Sequence, residues 1–534
     1  MSICAISRWV LLIIIFSPSL VNAATIAEGE RIFNDGMLPS GVYVEAAIQG
    51  DIPVKGAQLA CVSCHRKSRL GSSESVVQVP PLDYDSLFSG VSLSVNEQRG
   101  VSQQGATQKR IYTDESLARV IRDGIKPDGQ SLDEVMPRYQ LNDVEMQGLL
   151  AYIKSFKLNP DPGVNETELH IATAFSDENP AEAAIMLDVL QQFFADKNAN
   201  IRHETRRAQH TPWTREWWYK SYRKLILHQW HLTGSPETWA QQLELYYKEQ
   251  PVFAMVSGLG TKWQIVDEFC ESHQTPCLLP NIIQPPATEG YYTRYFSPGV
   301  VMEAAVLAQY HLVDPKETTV IQLVDQNLLS QLAASSYQKD LGKAKQVVTV
   351  STDKLRQNNI LNEMPASIRT VIYWGSSDHL SDQLISKLTA IEVERLCVSS
   401  TLMPDVNSIK QKWPGEFCVV SPYRFKNRQF DDARTMVWLR RKGLGDGVAM
   451  RLKFNTYYAA KLVSDAIIAI RGNFSRDFFI EKIEHMVDKS LIKPDYAHMS
   501  SGPGQRYMSR GAYVLVSSVN KEPLSIGYDW TIPD

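Results

Sequence analysis

Five residues, Cys61-Val62-Ser63-Cys64-His65, restrict what this 534-residue chain can build more than any other stretch of it. Two thiols three positions apart, with an imidazole directly after them, come together on one turn, and each use of such a turn demands different surroundings. A redox dithiol calls for a preceding strand in a βαβ unit. A zinc site calls for a second ligand pair. Neither is visible near residue 61. The spacing points instead to c-type haem attachment, in which Cys61 and Cys64 each bond a vinyl group and His65 reaches the iron.

Export is the second constraint. Arg8 precedes the apolar run Trp9 to Phe16, Ser17-Pro18 breaks it, and Val21-Asn22-Ala23 ends it on small residues before Ala24. This order reads as a secretory signal over residues 1–23, and the run is well short of the roughly 18 residues of a spanning helix. The expected location is periplasmic, with no membrane span after cleavage. In an oxidising compartment an even set of cysteines reads as disulfides. Cys4 leaves with the signal, and the others away from residue 61 form two near pairs, Cys270 with Cys277 and Cys397 with Cys418. Four buried thiols are the alternative. A net charge of -4 without any Lys/Arg-rich block argues against nucleic acid as a partner.

A haem iron held by His65 needs a second axial donor downstream. Met136-Pro137-Arg138-Tyr139 precedes a run whose apolar residues at 146, 149, 150, 153 and 156 follow a helical period. Met146 therefore belongs to the core of that helix, and Met136 to the loop before it. Gly29 lets a crossing helix approach the first helix, expected near Tyr152. With Ile32-Phe33, Pro80-Pro81-Leu82, the helix from Ser116 to Gly124 and Leu149-x-x-Tyr152-Ile153, these pieces make residues 24–158 resemble a class I cytochrome c domain. The resemblance implies an all-α fold, one covalent haem c, His65 and Met136 on the iron, and a bond from His65 to the carbonyl of Pro80. Two protein ligands leave no open position, which implies outer-sphere electron transfer. The Gly/Ser/Gln-rich tract 94–108 departs from the family pattern and reads as an insertion.

Residues 159–167, rich in turn formers, read as a linker. Beyond it apolar strand-like runs at 169–175, 251–257, 319–324, 346–350, 370–374 and 395–398 alternate with helical stretches, among them 180–195 and 262–272. Such alternation argues for parallel sheets, and the length for two lobes. Phe253 to Thr261, Pro276 to Pro280, Tyr292 to Ser297, Asn455 to Ala460 and Tyr513 to Val516 make residues 168–534 resemble the type I periplasmic solute-binding proteins, of the branched-chain amino-acid binding type. The resemblance implies a two-lobed α/β domain with its first crossing near 297, and a cleft reached by Thr261, Trp263 and Arg294. The chain as a whole is then multidomain, an all-α cytochrome c domain followed by a two-lobed α/β domain.

Several signals carry less. The aromatic block 211–231 holds Trp213, Trp217, Trp218, Tyr219, Tyr222 and Trp230, and reads as a core helix with a covering loop or as a docking surface. His228-x-x-His231 lacks further ligands, Gly443-Leu-Gly445-Asp-Gly447 reads as a helix terminator, and Asp83 and Asp85 read as solvated loop residues. No Ser/His/Asp or paired-carboxylate set stands out, so an electron carrier or binding protein is expected rather than an enzyme. The first reading is an exported monohaem cytochrome serving a periplasmic redox partner, a quinoprotein dehydrogenase or a terminal oxidase. The second is a solute-binding receptor of a transport or sensing system that carries a haem domain. A peroxidase-like enzyme requires that Met136 not bind iron.

Overall fold

The structure, a computed structural model, describes residues 18–48, 52–74, 77–89, 111–157, 160–210, 223–313, 319–342, 344–353, 369–425, 433–518 and 523–533. Residues 1–17 of the leader, the tract 94–108, and Trp213, Trp217, Trp218, Tyr219 and Tyr222 lie outside the described residues. The chain divides into two compact units, Met1–Asn159 and Pro160–Asp534. No helix among the described residues is long and apolar enough to cross a membrane.

The first unit runs α1 (Pro18–Asp35), β1 (Glu45–Ile48), β2 (Ile52–Lys55), α2 (Val62–His65), β3 (Ser72–Glu74), β4 (Val77–Val79), α3 (Asp114–Asp123), β5 (Arg138–Tyr139) and α4 (Asp143–Lys154). Local chemistry sets its helix ends. Thr113 and Ser116 exchange side-chain and backbone bonds at the start of α3, Asn142 and Glu145 do the same for α4, and Gly124 ends α3 in the left-handed region at φ 68°. α1 and α4 meet backbone to backbone: a Cβ on Gly29 would lie 2.0 Å from the carbonyl oxygen of Gly148. The crossing thus centres one turn before Tyr152, which instead packs edge-on against Phe33 with ring centroids 5.6 Å apart. Ile32, Phe33, Leu117, Ile121, Met146, Leu149 and Ile153 form the core.

An all-α unit was expected, and here the structure differs. β2-β1-β5 form an antiparallel sheet and β3-β4 a hairpin. These strands have two to four residues, too few to print a period-2 pattern, and β5 exists only because Ala46 and Ala47 pair with Tyr139 and Arg138.

In the second unit the first lobe holds β6 (Glu168–Ser176), α5 (Pro180–His210), β7 (Lys224–Leu232), α6 (Trp239–Glu249), β8 (Ala254–Val256), α7 (Gln264–Ser272), β9 (Cys277–Leu278) and β10 (Thr293–Arg294). The chain then passes through 295–299, where the first crossing is expected, into α8 (Val300–Val313) and the second lobe. That lobe holds β11 (Thr319–Val324), α9 (Leu328–Leu341), β12 (Gln346–Ser351), β13 (Thr370–Trp374), α10 (Asp382–Ala390), β14 (Arg395–Ser399), α11 (Val406–Lys412) and β15 (Glu416–Ser421). Three more helices follow, α12 (Ala433–Arg441), α13 (Met450–Ala469) and α14 (Arg476–Met486), and then β16 (Ala512–Ser517) and β17 (Ser525–Thr531).

The first sheet, β10-β9-β8-β6-β7, is parallel throughout. The second, β12-β11-β13-β14-β15-β16-β17, is parallel up to β15 and antiparallel beyond it. Every residue of β11 and β13 is buried, as parallel strands covered on both faces must be. The expected two-lobed α/β arrangement is what this strand order builds. α13 and α14 return to the first lobe: Arg476 donates to the carbonyls of Phe253 at 3.1 Å and His273 at 2.9 Å.

The linker expected at 159–167 needs correction. From Pro160 onward it is built into the second unit, since the Asp161 N–H donates to the Phe474 carbonyl at 2.9 Å and Asp161 accepts from the Arg476 N–H at 2.6 Å. Turn-forming residues look alike in a tether and in a pinned surface loop. Both expected disulfides form. Cys270 at the end of α7 joins Cys277 in β9 with Cα atoms 6.1 Å apart, and Cys397 joins Cys418, its register partner on the neighbouring parallel strand, at 4.4 Å.

Candidate functional site

The single turn of α2 places Cys61, Cys64 and His65 together, closed by the His65 N–H bonding to the Cys61 carbonyl at 2.9 Å. His65 is 6% exposed, and its Nδ1 lies 3.0 Å from the carbonyl oxygen of Pro80. A carbonyl only accepts, so Nδ1 carries the proton and Nε2 the lone pair. Burial pulls the imidazole pKa down to about 4, with the Pro80 carbonyl opposing, so the ring is neutral at ordinary pH. Burial likewise pushes the Cys61 thiol up to about 12. Gly71 lets the Pro80 strand close over this turn: at φ 77° a Cβ there would lie 2.2 Å from the Val79 carbonyl oxygen.

Cys61, Cys64, His65 and Pro80 line one cavity of about 250 Å³, and Met136 lines it too. Much of the remaining wall is apolar, with Leu117, Val120 and Ile121 from α3 and Leu149 and Ile153 from α4, while Gln58, Gln78, Ser86 and Asp133 line it as well. All five residues expected at a haem are thus gathered on one cavity. Tyr139, which sequence reasoning passed over, lines it as well and donates from its hydroxyl to the Leu59 carbonyl at 2.7 Å. Its only signal was its place three residues after Met136.

The donor chemistry bears on which group fits. Among the described residues no three His, Cys, Asp or Glu side chains are arranged to hold a metal ion. A bare metal ion would lack ligands here, whereas a macrocycle brings four nitrogens of its own and asks the protein for one neutral imidazole and one soft sulfur. The residues present fit a haem.

Two of the three residues named for a cleft in the second unit, Arg294 and Trp263, are buried away from solvent, whereas Thr261 is exposed. Arg294 is fully buried and pairs with Glu484 at 2.9 Å. Trp263 is buried in the first-lobe core against Gly258, where a Cβ would lie 2.3 Å from its ring. Thr261 donates through its N–H to Glu178 at 2.8 Å and through its hydroxyl at 2.5 Å. Arg294 is taken by Glu484, 190 positions away, which no local pattern announces, and Trp263 by the core of its own lobe.

Other polar groups occupy the carboxyl ends of the strands. In the first lobe Asn281 donates to Ser257 at 2.7 Å and to Thr456 at 3.2 Å. In the second, Asp325, just past β11, is buried and accepts from Thr352 at 2.9 Å and from His379 Nδ1 at 2.8 Å. A polar residue immediately after an apolar strand was the available signal for Asp325.

The weaker signals resolve individually. His228 and His231 sit three apart on β7 and bond separately, His228 to His170 at 2.9 Å and His231 to Asp177 at 2.5 Å. Gly443, at φ 75°, follows the end of α12. Asp83 is buried and not solvated; it accepts from the Ser86 N–H at 2.9 Å, so it caps the turn after it.

No family model and no curated protein matches the chain. Solved structures with a similar chain path include a fatty acid ABC transporter substrate-binding protein from Thermomonospora curvata, at 13% identity over 70% of this chain and 95% of that one, with a TM-score of 0.48. A leucine-binding protein from Thermotoga maritima matches at 12% identity over 68% and 99%, TM-score 0.47. A branched-chain amino acid ABC transporter structure from Thermus thermophilus with bound valine matches at 11% over 68% and 97%, TM-score 0.48.

Proposed function

We propose that the chain is an exported, haem-carrying binding protein, whose first unit holds one haem c and passes electrons and whose second unit recognises a small molecule. The observation that carries the first half is the bond from His65 Nδ1 to Pro80, at the wall of a cavity shared with Cys61, Cys64 and Met136. That bond fixes the tautomer and aims the remaining lone pair, which a metal-ligating histidine requires. Cys61 and Cys64 would anchor the group, and His65 and Met136 would hold its iron. A haem held by these residues would supply a one-electron Fe(III)/Fe(II) couple. Leu117, Val120, Ile121, Leu149 and Ile153 keep water from the cavity, which tunes the potential.

The electron partner belongs to the same exported compartment, a quinoprotein dehydrogenase or a terminal oxidase. Intact-mass measurement and optical spectra of the exported full chain test this. One covalent haem per chain and the sharp α-band of a six-coordinate c haem are expected; colourless protein of unmodified mass overturns it.

One observation favours the second reading, a solute-binding receptor of a transport or sensing system that carries a haem domain. Both sheets reverse strand order around their first strand, β6 and β11, and Ser257, Asn281 and Asp325 stand at carboxyl ends beside those points. Open α/β sheets take ligands there. A thermal-shift screen of the full chain and of its Cys61→Ser/Cys64→Ser variant separates the readings: a ligand-dependent rise in both supports a receptor. For a peroxidase-like reading the discriminating variant is Met136→Ala, whose unchanged spectrum would remove Met136 from the iron.

A further inference from the structure

Met136 is carried by a loop that bonds within itself, from the Val135 N–H to the Asp133 carboxylate at 3.0 Å and from the Met136 N–H to the Asp133 carbonyl at 3.2 Å, and one guanidinium braces it from outside. Arg138 donates through Nη1 to the Met136 carbonyl, and through Nη2 to the carbonyls of Leu132 at 3.1 Å and Asp133 at 3.4 Å. One side chain therefore ties both ends of the segment 132–136. Arg138 is fixed in turn by its backbone, paired with Ala47 across β1 and β5. Its neighbour Tyr139 takes the opposite face of that strand and lines the cavity, which Arg138 does not.

Gly124 provides the seat. A Cβ at this position would lie 2.0 Å from Arg138 Nε and 2.1 Å from Cζ, so any side chain at 124 displaces the guanidinium. The same glycine accepts from the Leu132 N–H at 2.7 Å, and Ile125 bridges Ser131. The end of α3, the loop and β5 are thus joined through two residues, neither of them on the cavity wall.

We propose that Arg138, seated on Gly124, is a positioning residue that keeps the Met136 thioether on the haem iron. The inference rests on the haem reading above and deepens it. A planar fork with five donors bridges three carbonyls at once; a lysine ammonium, a point charge on a flexible stem, does not hold that geometry.

The test uses the full exported chain as wild type, Arg138→Lys, Gly124→Val and Thr113→Ala. Intact mass reports haem attachment, and the weak near-infrared sulfur-to-iron band of the ferric state reports Met ligation. All four chains are expected to carry the covalent group. In Arg138→Lys and Gly124→Val the band should vanish, or be lost at a pH about one unit below wild type, an approximately tenfold weaker hold on the ligand. Thr113→Ala, which removes a helix cap without touching the loop, should lower thermal stability and leave the band in place.

An unchanged band in both loop variants overturns the proposal while leaving the haem reading intact. Loss of the covalent group in those variants, or equal loss of the band in Thr113→Ala, makes the role structural and also overturns it. A wild-type chain without covalent haem overturns both readings together.

Discussion

The two units gather their functional side chains over different lengths of chain. In the first, Cys61, Cys64 and His65 share one turn, and His65 meets Pro80 across 15 positions. In the second, Arg294 meets Glu484 across 190 positions and Asn281 meets Thr456 across 175. A contact closed over a short loop leaves its mark in residue spacing. One closed over a long loop costs only somewhat more chain entropy, since the cost grows with the logarithm of length, and it leaves no local mark. A site of the first kind can be found by motif, whereas one of the second kind must be seen folded.

Cys61→Ser with Cys64→Ser strikes this contrast hardest. It should abolish the covalent adduct entirely by intact mass while leaving the unfolding transition of the second unit in place; a second unit that unfolds with the first would end the claim of separate construction. Arg294→Ala comes next. It strands Glu484 in a site where the pair is 0% and 2% exposed, at a cost of about 3–5 kcal/mol in denaturant unfolding of the second unit. Arg294→Met with Glu484→Leu should cost far less, and equal costs would show that the ion pair is not the cause.

The pH response should separate the units by sign. In the haem-free double-serine chain, burial holds His65 at about 4 against about 6.5 unfolded, so the unfolded chain binds more protons between those values. First-unit stability from this residue is complete above about pH 6.5 and lost as pH falls towards 4. Glu303, buried in the second lobe beneath Ser399 and Thr401, is raised to about 7 from 4.5 by burial, so the folded chain binds the extra proton. Its contribution is complete below about pH 4.5 and lost as pH rises through 7. Each effect is on the order of 3 kcal/mol. Calorimetry between these limits should show two transitions moving in opposite directions; parallel movement breaks the assignment. The smallest effect is Thr113→Ala, about 1 kcal/mol from the first unit alone.

Spacing made the haem-site candidates legible because a turn, a helix period and a Met-Pro loop each have a local signature. It did not reveal β5, whose two residues need a partner strand before they become a strand at all. Nor did it reveal Tyr139, whose hydroxyl is committed to Leu59, 80 positions earlier. In the second unit the alternation of strands and helices was readable, and so were both disulfides, because each cysteine pair flanks a single turn or sits on successive strands. Arg294 and Trp263 were misjudged because they looked available only while Glu484 and the packed first-lobe core were out of view.

The amino-acid order alone determined the Cys61–His65 turn, the cysteine pairs and the two-part layout, since all of these follow from residues close together along the chain. Only the tertiary structure decided that Arg138 and Gly124 brace the Met136 loop and that Arg294 is spent on Glu484. Those depend on where distant backbone comes to rest, and burial, which fixes proton positions and pairs charges, exists only once the core has closed.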